Sequence, residues 1–134
     1  MKDIFITGTF RNDWNKEFNL KLVNALEGHG FQIFAPQRDA EQKGDRKETF
    51  LNDVAGIDSC KMIVAIGSKT QTANWGFEIG YAYANKKPVI ILTDAEHPAE
   101  LMTEGAASNV LIVENLDNIE QYIDNLISLV KENL

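Results

Sequence analysis

The sequence predicts an α/β domain, a doubly wound, five-stranded parallel sheet with helices on both faces. Three observations predict it. Five short apolar runs recur along the chain, and helical or polar stretches separate them. The runs are apolar at consecutive positions, as strands covered on both faces are. The length, 134 residues, suits one domain spanning residues 1–134 and leaves no room for two cores. Strands alternating with helices make a parallel sheet through right-handed crossovers, so a flavodoxin-like or Rossmann-like order is expected.

The first run, Ile4-Phe5-Ile6, precedes Thr7-Gly8-Thr9 and reads as a buried strand with a glycine-bearing turn. From Asn15 to Glu27, Phe18, Leu22, Val23 and Leu26 share one helical face, and Gly28 and Gly30 stop the helix. Phe31 to Ala35 is the second strand, closed by Pro36, and Arg38 to Arg46 reads as a loop. Helical spacing returns at Phe50, Leu51, Val54 and Ile57. Met62 to Ile66 is the third strand; a polar loop, Gly67 to Asn74, leads into a helix from about Trp75-Gly76 to Asn85. Pro88 to Leu92 and Val110 to Val113 are the last two strands. A final amphipathic helix from Leu116 to Lys131 presents Leu116, Ile119, Ile123, Leu126 and Val130 on one side.

Composition excludes several function classes. Thirteen Lys and Arg against 20 Asp and Glu give a net charge of −7, unsuited to a nucleic acid polymer or an anionic membrane. A single cysteine, Cys60, leaves no internal disulfide and no cysteine-based zinc site, and we expect it to be a small buried residue. His29 and His97 follow no metal-ligand spacing and read as loop residues, so neither a metal nor an organic cofactor is implied. Met1-Lys2-Asp3 runs straight into the first strand without the apolar stretch of a signal peptide, and no run approaches the ~20 residues that span a bilayer. The expectation is a cytoplasmic protein.

In a doubly wound sheet, ligands bind beyond the carboxyl ends of the strands where the order reverses. The loops after strands one and three, Gly8 to Asn15 and Gly67 to Trp75, are therefore the candidate site. The first, Thr7-Gly8-Thr9-Phe10-Arg11, offers backbone N–H groups, hydroxyls and a guanidinium that suit a phosphate or a sugar, although it is neither a Walker loop nor a GxGxxG fingerprint. The second leads to Glu78 within Gly76-Phe77-Glu78-Ile79-Gly80-Tyr81-Ala82, an acid in an apolar setting near a helix N-terminus. The helix favours its ionised form and the apolar neighbours oppose it. A partly dehydrated carboxylate of this kind suits attack on an anomeric carbon; a plain dipole-complementing glutamate fits the spacing equally well. Trp75, three residues before Glu78, is placed to stack on a base, whereas Trp14, Tyr81 and Tyr83 read as packing residues.

These residues resemble the nucleoside 2-deoxyribosyltransferase superfamily, which includes nucleoside 5′-monophosphate N-glycosidases. The similarity runs from Ile4 to Arg11, through Pro36-Gln37-Arg38-Asp39 and Asn52-Asp53-Val54-Ala55-Gly56-Ile57, to the Glu78 block. It continues through Lys87-Pro88-Val89-Ile90 and Leu101-Met102-Thr103 to Ser108-Asn109. The resemblance implies that Glu78 is the nucleophile, attacking C1′ of a (deoxy)ribose to give a covalent glycosyl intermediate. It implies that Asp53 positions or protonates the leaving base. It also implies a homodimer, or a dimer-based oligomer, in which the Asn109 loop completes the neighbouring site.

Two departures bear on the substrate. Typical deoxyribosyltransferases carry an aspartate six residues before the nucleophile, where this chain has Thr72, and a Pro-Phe-Phe first loop, where it has Thr9-Phe10-Arg11. A hydroxyl and an arginine accept a 5′-phosphate that an aspartate would repel. With the net charge negative, Arg11, Arg38 and Lys69 would supply the local cations. Gly8, Thr9, Phe10, Arg11, Arg38, Thr72, Trp75, Gly76 and Asn109 are thus the expected substrate-binding residues, with Glu78 and Asp53 catalytic. The leading reading is hydrolysis of a (2′-deoxy)nucleoside 5′-monophosphate to free base. The alternatives are base exchange between 2′-deoxynucleosides through the same intermediate, and a non-catalytic nucleotide-binding module.

Overall fold

A computed structural model describes residues 1–40, 44–68 and 71–134. Its strands are β1 (Lys2–Thr7), β2 (Ile33–Phe34), β3 (Cys60–Gly67), β4 (Val89–Asp94) and β5 (Asn109–Val113). All pair in parallel in the order β2-β1-β3-β4-β5, the flavodoxin-like arrangement, with the reversal between β1 and β3. The helices are α1 (Asp13–Gly28), α2 (Pro36–Asp39), α3 (Arg46–Asp58), α4 (Ala73–Ala84), α5 (Leu101–Ala106) and α6 (Ile119–Asn133).

Strand side chains alternate between faces, and that alternation makes two cores. Ile4 and Ile6 of β1, Met62, Val64 and Ile66 of β3, and Ile90 and Leu92 of β4 pack with Phe18, Leu22 and Leu26 of α1 and Leu126 and Val130 of α6. Phe5, Ile63, Ala65, Val89 and Ile91 face the other way, onto Ile57 of α3 and Trp75, Ile79 and Ala82 of α4. The consecutive apolar positions are therefore the signature of a sheet covered on both faces, as expected.

Some boundaries differ from the sequence reading for local reasons. The second strand pairs only over Ile33 and Phe34, because the Phe31 N–H returns to the Leu26 carbonyl at the end of α1. Gly30, at φ +95°, makes that reversal. Pro36 opens a helical turn, α2, where a loop was expected; proline suits the first helical position, and Asp39 accepts the Ala35 N–H at 2.9 Å. Asp45 caps α3 through the Glu48 N–H, so that helix begins four residues before Phe50. The short α5 was not anticipated. Helix α6 starts at Ile119, not Leu116; the Leu116 side chain is buried in the core while its carbonyl accepts the Tyr122 hydroxyl.

Candidate functional site

The site lies at the carboxyl ends of β1 and β3, on the α3–α4 side of the sheet. Beyond Thr7, Gly8 brings the chain so close to β3 that an added Cβ would sit 3.3 Å from Ile66 and from the Asn19 side chain. Asn19, buried in α1, donates to the Gly8 and Thr9 carbonyls at 3.3 and 3.1 Å. Asn15, one turn earlier, donates to Asn19 at 3.3 Å and accepts the Ser68 hydroxyl at 2.9 Å. A buried polar ladder thus ties the first loop to the end of β3. Its signal in the sequence was two asparagines on the apolar face of α1, at the same helical spacing as Leu22 and Leu26.

Helix α4 supplies Glu78. Thr72 caps it, its hydroxyl accepting the Trp75 N–H at 3.2 Å, and Glu78 falls in the second turn, pointing back toward the cap. Helix α3 brings Thr49 and Asp53 from the opposite wall. Together with Ile6, Thr7, Gly8, Thr9, Phe10, Arg11, Pro36, Thr72, Asn74 and Trp75 they enclose a cavity of about 190 Å³. A second space of about 490 Å³ shares Arg11, Thr49, Asp53, Asn74 and Glu78 and is lined also by Arg46, Phe50 and Phe77.

Electrostatics in this cleft are unusual. Burial pushes the Glu78 carboxyl up to about 7, the Thr7 hydroxyl counteracts it by hydrogen bonding, and the charge of Asp53 adds to the rise. Burial alone pushes Asp53 above its ordinary value. Among the described residues, Glu78 Oε2, Asp53 Oδ1 and Trp75 Nε1 are buried without a hydrogen-bond partner. Two acceptors and one donor left unpaired in one cleft are a standing cost that a polar ligand or water would relieve.

Of the residues expected from sequence, Gly8, Thr9, Phe10, Arg11, Asp53, Thr72, Trp75 and Glu78 come together around the cavity. Three do not. Arg38 is held elsewhere: it donates to Asp39 and Glu27, both at 2.8 Å, which raise its basicity, and to the Ile33 carbonyl at 3.1 Å. Gly76 is turned toward α5, where Thr103 is the nearest group to its missing Cβ. Asn109 opens β5, at the edge of the sheet opposite the strand ends that form the cleft, and accepts from Asn133 at 2.9 Å. Lys69 lies outside the described residues. Trp14 stacks on Phe18 and donates to Asp117 at 2.9 Å, lining a separate cavity with Asp94 and His97. Trp75 is buried, so little of its ring is open to stacking. Thr7, Pro36 and Asn74 lie in stretches the sequence singled out without being named as ligands; Thr49 lies outside every such stretch, and only folding brings it to the cavity wall. Among the described residues no group of His, Cys, Asp and Glu suits a metal ion, and no helix is long and apolar enough to cross a membrane.

A doubly wound sheet whose switch-point cleft sets two half-buried carboxyls beside an arginine defines an α/β protein with an acid-lined cleft. Within that class, the chain belongs to the nucleoside 2-deoxyribosyltransferase family, whose family model matches residues 4–119. No curated protein matches significantly. Among solved structures, a conserved protein from Enterococcus faecalis V583 is 21% identical, with TM-score 0.78 over 100% of this chain and 99% of that one. A 2-deoxyribosyltransferase from Bacillus psychrosaccharolyticus is 20% identical, with TM-score 0.73 over 90% and 91%. The CMP N-glycosidase BcmB of Clostridium botulinum is 17% identical, with TM-score 0.69 over 92% and 99%. At these identities the likeness is one of fold.

Proposed function

We propose that the protein hydrolyses the N-glycosidic bond of a (2′-deoxy)nucleoside 5′-monophosphate through a covalent glycosyl-Glu78 intermediate. The observation that carries this reading is the buried Glu78 carboxyl with Oε2 unpartnered, in a cavity that Asp53 and Arg11 also line. Oε2 bonds to C1′ as the C1′–N bond breaks and its electron pair leaves on the base nitrogen. A proton from the Asp53 carboxyl completes the base. Water then attacks C1′, gives its proton to Asp53, and displaces Glu78. The products are free base and (deoxy)ribose 5-phosphate.

Arg11 and the Thr9 hydroxyl are the proposed phosphate ligands, joined by Thr72, whose hydroxyl hydrogen stays available while its oxygen serves as the cap. The fold shared with a CMP N-glycosidase is consistent with a monophosphate substrate. Base exchange is the second reading, favoured by the larger adjoining space of about 490 Å³ that Phe50 and Phe77 help to line. Exposed Leu101, Met102, Phe50 and Phe77 support a homodimer, in which the Asn109 loop would complete the partner's site.

The test is to incubate the protein with deoxynucleosides and their 5′-monophosphates, with and without a second free base, and to separate the products. Base released from monophosphates, unaffected by the added base, is the expected result. A new nucleoside formed only with the second base would establish exchange instead. Ligand binding without turnover in both the unsubstituted protein and Glu78→Ala would leave a binding module.

A further inference from the structure

We propose that Asn19 is a positioning residue: its amide draws the Gly8 and Thr9 carbonyls toward α1 and so turns the Thr9 and Phe10 N–H groups to a phosphoryl group in the cleft. This rests on the monophosphate reading above and deepens it. Asn19 is buried, 4% exposed, and its Nδ2 donates to the Gly8 and Thr9 carbonyls at 3.3 and 3.1 Å. A trans peptide unit is planar, so a carbonyl and the N–H that follows it point in opposite directions. Helix α1 packs on one face of the sheet, whereas α3 and α4 wall the cleft on the other. Carbonyls drawn to α1 therefore leave the Thr9 and Phe10 N–H groups directed to the cleft side. Neither N–H has an acceptor among the described residues, and both residues line the cavity with Arg11.

The orientation of the Asn19 amide is itself fixed by its neighbours. Asn15 Nδ2 donates to Asn19 Oδ1 at 3.3 Å, so the edge that Asn19 turns to the loop is its donor. Asn15 is held in turn, because its Oδ1 accepts the Ser68 hydroxyl and Asn12 Nδ2, both at 2.9 Å. Asn12 Oδ1 also accepts the Asn15 N–H at 2.8 Å, as the cap of α1. Two asparagines of one helix thus grip the loop at both ends, and Phe10 and Arg11 bridge between the grips. Side chains locked by buried partners place a loop more precisely than the loop places itself. Successive N–H groups turned to one side make a concavity for an anion, and the Arg11 guanidinium, which forms no ion pair among the described residues, supplies the charge.

The test titrates inorganic phosphate into nitrogen-15-labelled protein, and a deoxynucleoside 5′-monophosphate into its Glu78→Gln form, while NMR follows the backbone amides of Thr9, Phe10 and Arg11. Both ligands should shift the Thr9 and Phe10 amides, the monophosphate at lower concentration. In Asn19→Leu, which keeps the bulk and removes the donors, the Kd for phosphate should rise at least about tenfold. KM for monophosphates should rise by a similar factor, more than kcat falls. A general loss of structure would strike monophosphates and deoxynucleosides alike, so the ratio of their kcat/KM values should fall about tenfold only if the loop is positioned for phosphate. Thr9 and Phe10 amides that ignore both ligands in protein with Asn19 intact, or folded Asn19→Leu that binds phosphate as tightly as its parent, would overturn the proposal. A response to inorganic phosphate alone would overturn the service of this loop to a nucleotide. If leucine is not accommodated, Asn19→Ala serves the same comparison. Amides that respond to both ligands in a protein that releases no base would overturn the hydrolytic reading and leave the positioning role in place.

Discussion

Replacing Glu78 by glutamine should make the protein more stable at alkaline pH while abolishing its turnover. In the folded chain the carboxyl sits at about 7, raised from an ordinary 4.5 by burial. A carboxyl whose folded value is raised binds its proton more tightly in the native state than in the unfolded chain. The stability it provides is complete below the unfolded value and is lost as pH rises through the folded one. At about 1.4 kcal/mol per pH unit, the loss between the two values amounts to about 3 kcal/mol. Glutamine does not titrate, so Glu78→Gln should escape this loss. Urea unfolding at pH 5 and pH 8 is the assay. With a slope of about 1.5 kcal/mol per molar, the midpoint of the variant relative to the parent should rise by nearly 2 M between the two pH values. A difference that stays constant with pH, or a variant less stable at pH 8, would refute the account of a destabilised buried carboxyl.

Three further perturbations separate the parts of the cleft. Arg11→Ala should raise KM for monophosphates at least about tenfold and leave deoxynucleosides nearly unaffected, as steady-state kinetics on both would show. Thr72→Ala should cost about 1 kcal/mol through the lost cap, whereas Thr72→Asp should keep the cap and weaken monophosphates selectively, seen by thermal melts beside the same kinetics. Asn19→Leu should destabilise by about 1–3 kcal/mol, because the Gly8 and Thr9 carbonyls and the Asn15 amide lose their partner, and urea unfolding would measure it.

The sheet was legible because each strand is apolar at successive positions, and such runs admit one arrangement once helices intervene. Helix α5 was not, since its six residues leave Leu101 and Met102 exposed and carry no side-chain cap to mark its start. Pro36 looked like a stop because proline ends a strand, yet it begins a helix equally well. In the site, Glu78 stood out as an acid in an apolar stretch near a helix N-terminus, Asp53 came through the family resemblance, and both line the cavity. Arg38 is held by Asp39, the next residue, and by Glu27, eleven residues away on another helix; that second partner is a pairing that spacing does not reveal. Thr49 was invisible because a cavity wall is assembled from several elements, and no one-dimensional pattern records which of their residues meet.

The Arg38 clamp has a meaning apart from ligands. Strand β2 is an edge only two residues long, and the Ile33 carbonyl takes hydrogen bonds from both Arg38 and Lys2. An unsatisfied edge is a template on which a foreign strand can add. Here the margin is short, and positive side chains occupy its outward acceptor. The guanidinium acts as a bumper, and its removal should show itself first as self-association during concentration or storage, in a protein whose chemistry is otherwise intact.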